Sequence, residues 1–77
     1  MKKWAVSYIN FFDNRLMTTF IEAETELEAL YYGDLYWGLN FRDNIDSVED
    51  FEQECFDCDC MMHAEEVQLI LMEIFIF

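Results

Sequence analysis

The densest concentration of chemically capable side chains is Cys55-x2-Cys58-x-Cys60-x2-His63, four candidate metal ligands within nine residues. Three thiolates and an imidazole are a sound zinc set, and Asp57 and Asp59 between them would attract a cation. The spacing argues the other way. Zinc sites of this composition pair two ligands and place a dozen or more residues between the pairs. The simpler reading makes Cys55 a core residue of a helix and leaves Cys58 and Cys60 as reduced bystanders. No cofactor is expected.

Other reactive chemistry is weaker. A thiol flanked by Asp57 and Asp59 has its thiolate disfavoured, which opposes nucleophilic catalysis. Gly33 and Gly38 do not form a phosphate loop. Asp43-x-x-Asp46 lacks the ligand spacing and the glycine of an EF-hand. A chain of 77 residues rarely closes a catalytic pocket, and no enzyme activity is expected.

The carboxylates carry the functional argument. Seventeen Asp and Glu face four Lys and Arg, for a formal charge of −13. Glu22, Glu24, Glu26 and Glu28 recur at every second position. A second cluster, Asp43, Asp46, Glu49, Asp50, Glu52, Glu54, Asp57 and Asp59, occupies seventeen residues and contains no base. Asp50, Glu54 and Asp57 are helical neighbours, and each like-charge contact of that kind destabilises a helix by roughly 0.2–0.5 kcal/mol. Charge runs are often plain solvated faces. The alternative is a row of carboxylates that imitates phosphates and grips a basic groove. Direct nucleic-acid binding is disfavoured, because phosphate contacts need Lys and Arg.

These residues need a scaffold. Residues 4–12 read as a strand with Trp4, Val6, Tyr8 and Phe12 on one face and Ala5, Ser7, Ile9 and Phe11 on the other. Asp13-Asn14 forms a turn, and residues 16–23 return as a second strand. Thr25-x-x-Glu28 is a capping box that opens a helix. Asp34 falls within the apolar stripe of Leu27, Leu30 and Tyr31, so the helix either ends near Gly33 or bends there. Residues 40–46 are a connecting loop. Ser47 caps a second helix, with Val48, Phe51 and Cys55 inward and Glu49, Asp50, Gln53, Glu54 and Asp57 outward. Residues 56–66 extend that helix, form a loop or alternate as a short strand. Residues 67–77 read as a strand that pairs with the N-terminal hairpin. The expected fold is therefore α+β in the order ββααβ, a single domain over residues 1–77 with a three-stranded antiparallel sheet and two helices on one face. Strands apolar on both faces leave an aromatic and aliphatic sheet face exposed, which suggests a homodimer or a docked partner.

Composition sets the class. With 55% apolar and 18% aromatic residues, the chain is not a disordered acidic tail. The apolar stretch 67–77 falls short of the roughly 20 residues a spanning helix needs, so no membrane association is expected. Asn10, Asp13, Asn14 and Arg15 interrupt any leader after Lys2 and Lys3. Three crowded cysteines suit a reducing cytosol rather than a disulfide framework.

In size, in charge, in the opening WAVSYINFFDNRLMTTFIEAETELEAL and in the acidic helix SVEDFEQECFD, the chain resembles the small acidic inhibitors of phages and mobile elements. Anti-CRISPR proteins and DNA-mimic anti-restriction proteins belong to that type. The resemblance implies stoichiometric inhibition of a defence nuclease in the bacterial cytoplasm, through a basic surface that normally binds DNA or RNA. The expected contact residues are Glu49, Asp50, Glu54 and Asp57, then Glu24, Glu26 and Glu28, with Tyr32, Tyr36 and Trp37 as aromatic anchors. The alternative is a small metal-binding or regulatory module organised by Cys55, Cys58, Cys60 and His63.

Overall fold

A computed structural model describes residues 1–67. Strands β1 (Lys2–Asn10) and β2 (Arg15–Ala23) form the expected hairpin, paired antiparallel from Lys2↔Ala23 to Asn10↔Arg15. The first strand ends earlier than the sequence suggests. Phe11 and Phe12 fall in the turn and are exposed, so Phe12 does not share the inner face of Trp4, Val6 and Tyr8. The Asn10 side chain accepts from the Phe12 amide at 2.8 Å, and Asn14 adopts a φ of 54°, a conformation asparagine tolerates.

Helix α1 (Glu26–Trp37) starts where the capping box places it, with Thr25 Oγ1 accepting from the Glu28 amide at 3.2 Å. It does not end or bend at Gly33. The helix continues to Trp37 and stops at Gly38, whose φ of 71° is the left-handed conformation glycine adopts at helix ends. Two facts explain the extra turn. A Cβ on Gly33 would lie 2.7 Å from Val6 Cγ1, so the glycine is the point of closest approach between helix and sheet. Asp34 is fully buried and pairs with Arg42 at 2.5 Å, while its other oxygen accepts from the Phe41 amide at 3.2 Å. A carboxylate held by a cation and a hydrogen bond does not interrupt an apolar stripe as a bare one would.

Helix α2 (Val48–Asp57) begins at Ser47, whose Oγ accepts from the Asp50 amide at 3.1 Å. Phe51 and Cys55 are fully buried, as their spacing suggests. The uncertain stretch resolves into strand β3 (Cys60–Glu66), antiparallel to β1 from Asn10↔Cys60 to Trp4↔Glu66. The sheet order is β2-β1-β3, with the helices on its inner face. The third strand therefore lies in 60–66, and the strand expected at 67–77 falls outside the described residues beyond Val67. Trp4, Val6 and Tyr8 from β1 and Cys60, Met62 and Ala64 from β3 meet Ala29, Leu30, Phe51 and Cys55 in one core.

The outer face is less apolar than expected. It exposes Leu16, Phe20 and Met61, but a polar row of Thr18, Ser7 and His63 crosses between them. Ser7 and Thr18 share a 3.0 Å hydrogen bond across that row. Among the described residues no helix is long and apolar enough to cross a membrane.

Candidate functional site

Both helices run from the Lys2 end of the sheet towards the Asn10 end. Helix α1 leaves β2 at Ala23, sets Gly33 over Val6 and brings Trp37 against Tyr8, with ring centroids 5.5 Å apart. Helix α2 leads into Cys60, which pairs with Asn10. The Tyr31 ring meets Phe51 at 6.0 Å, so the first turn of α2 lies beside the second turn of α1. The Tyr31 hydroxyl donates to the Ile45 carbonyl and anchors the intervening loop.

The acidic segment emerges from this frame fully displayed. Asp43, Asp46, Glu49, Asp50, Glu52, Glu54, Asp57 and Asp59 are all exposed. Burial of Phe51 and Cys55, with Val48 packed beside them, turns Glu49, Asp50, Glu52, Glu54 and Asp57 outward. Gln53 Nε2 donates to Asp57 Oδ1 at 3.0 Å, and among the described residues no Lys or Arg pairs with any of the eight carboxylates. The bases are elsewhere. Lys2 meets Glu66 at 3.8 Å, Lys3 lies opposite Glu22, and Arg15 closes the hairpin. Arg42, the nearest base in sequence, is turned inward to Asp34.

The first acidic cluster is less available. Glu24 is exposed but lies 3.9 Å from the N-terminal amine, and Glu26 and Glu28 are half-buried in the first turn of α1, where they favour the helix dipole. Of the proposed aromatic anchors, Tyr32 and Tyr36 are exposed, whereas Trp37 packs against Tyr8.

The structure separates the four candidate metal ligands. Cys55 is buried on α2, Cys58 is exposed at the helix end, and Cys60 points into the core from β3. His63 lies on the opposite face of the sheet, 4.0 Å from Glu65. No group of metal-ligating side chains comes together among the described residues. Cys60 Sγ instead lies 3.4 Å from the Tyr8 hydroxyl and donates to the Cys58 carbonyl at 3.2 Å. Burial, then the nearby Cys60 and Asp34, push the Cys55 thiol up to about 12. Local desolvation and then Glu54 raise Cys58 as well, with Asp57 and Asp59 contributing. Cys55 and Cys58 are thus disfavoured as nucleophiles.

A groove of about 710 Å³ lies beside the acidic helix. One wall is the α2 strip Glu49, Glu52, Gln53 and Phe56, and the other includes Leu16 and Met61. Glu52 belongs to the acidic run, whereas Phe56 has no role assigned by local pattern. The signal was present in the 49-52-53-56 spacing, which forms one flank of a helix. Its other wall comes from three strands and was not visible locally. No family model, no curated protein and no solved structure matches the chain.

Proposed function

We propose that this protein binds and blocks a basic surface on a nucleic-acid-handling protein, of the kind found in bacterial defence nucleases. It acts as a stoichiometric nucleic-acid mimic and not as an enzyme. The supporting observation is the run of eight exposed carboxylates over residues 43–59 that no Lys or Arg answers among the described residues. Such a surface repels itself and gains most by meeting cations. Helix α2 holds Glu49, Asp50, Glu54 and Asp57 on a rigid element, so little ordering is lost on binding. Glu24, Glu26 and Glu28 have a lesser part, given their pairing and partial burial.

The test is a complex captured at low salt from a bacterial lysate that expresses defence nucleases. Added DNA or RNA should displace it, and rising salt should weaken it steeply. The double reversal Asp50→Lys with Glu54→Lys should abolish it. At 0.5 M salt the Debye length is only about 4 Å. A complex that survives both that salt and the double reversal contradicts the proposal.

A further inference from the structure

The groove beside α2 carries information that charge alone does not. Three large apolar side chains line it in the open: Leu16 at 68% exposure, Phe56 at 67% and Met61 at 58%. They come from three separate elements, so their convergence is a property of the fold. Glu49 and Glu52 stand on the same wall as Phe56. A row of phosphate mimics needs no apolar floor, and a purely apolar ligand would leave two carboxylates to be desolvated without a partner.

We infer that this groove receives an amphipathic protein segment that inserts an apolar anchor against Phe56, Met61 and Leu16 and brings Lys or Arg to Glu52 and Glu49. The inference rests on the basic-partner reading above and names the part of the partner that docks. Charge complementarity selects the occupant. A second copy of this chain, at −13, would bring like charge to the same rim. Anionic ligands are repelled for the same reason.

The helix sets the partner's spacing. Glu52 lies four residues before Phe56 and Glu49 lies seven before it, about 6 Å and 10 Å along the axis. A helical partner with an apolar residue and bases four and seven positions away matches that pattern on one face. Methionine and phenylalanine suit the floor, because the flexible thioether adapts to varied anchors. The aliphatic stem of Lys or Arg covers the remaining apolar surface while its head reaches the rim.

Three fluorescent synthetic peptides of equal charge test this on the full-length protein at low salt. One carries a leucine anchor with lysines at +4 and +7. The second replaces the anchor with serine, and the third keeps the composition but scrambles the spacing. The anchored peptide should bind at least tenfold more tightly than either control, with NMR shifts at Leu16, Phe56 and Met61. Met61→Ser and Phe56→Ser should each remove that advantage while leaving the serine peptide's affinity unchanged. Equal binding of all three peptides overturns the groove inference and leaves the basic-partner reading standing. Failure of all three to bind overturns both. Two alternative occupants would also overturn the groove inference. One is a second copy, seen as concentration-dependent dimerisation lost on Met61→Ser. The other is the chain's own residues 68–77, seen as contacts to Met61 that the peptide does not displace.

Discussion

Cys55, a candidate metal ligand by its spacing, is committed to the core, and Tyr8 is buried there against Cys60. Cys55 is fully buried, and burial first, then neighbouring negative charge, lifts its thiol from 9.0 to about 12. Tyr8 is raised from 10.0 by burial and by its bond to Cys60. Both groups hold their protons more tightly folded than unfolded. The Cys55 contribution is therefore complete below about pH 9 and is lost as pH rises towards 12, and Tyr8 acts in the same direction. Denaturant midpoints should be flat from pH 7 to 9 and fall above that, and Cys55→Ala should make the fall shallower. A stability that rises through that window contradicts the assignment. The same burial predicts that a thiol reagent labels Cys58 in the native protein and reaches Cys55 and Cys60 only on unfolding.

At the scale of elements, Gly33 is the position that lets α1 lie close to β1. Alanine is the better helix former by about 1 kcal/mol. Its Cβ would meet the stiff Val6 side chain at 2.7 Å, and overpacking of that kind costs about 1–3 kcal/mol. Gly33→Ala should therefore destabilise the protein by about 1 kcal/mol net. In a Val6→Ala background the same change should be neutral or stabilising, which a double-mutant cycle by urea unfolding will read as coupling. Additive effects would mean that the helix can shift away.

The hairpin, both caps and the inward face of α2 were legible because turn chemistry, capping and helical period act over a few residues. Thr25, Ser47, Phe51 and Cys55 all stand where local pattern puts them. The end of α1 was not legible, because Asp34 is neutralised by Arg42 eight residues later, a contact made only in the folded chain. The third strand was obscured by composition. CMMHAEE has no β-branched residue, and Met61 blurs the alternation of Cys60, Met62 and Ala64 with His63 and Glu65. The site divides similarly. The carboxylate run is contiguous and readable, whereas the groove needs Leu16, Phe56 and Met61 to be brought together from β2, α2 and β3.

Among the described residues, charge is distributed unevenly over the molecule. Lys2 and Lys3 lie on the sheet beside Glu66 and Glu22, Arg15 lies at the hairpin end opposite Asn10, and Arg42 is turned inward. The loop, α2 and the turn into β3 carry negative charge alone from Asp43 to Asp59. An uneven field of this kind orients an approaching cationic partner before contact and makes association sensitive to ionic strength. The most direct measurement is an NMR titration of the full-length protein with a nona-arginine peptide at low salt and again at 0.5 M. Shifts should concentrate over residues 43–59 and should vanish at high salt and in the Asp50→Lys, Glu54→Lys protein. Shifts spread equally over Glu22, Glu65 and Glu66, or persisting at high salt, would contradict it.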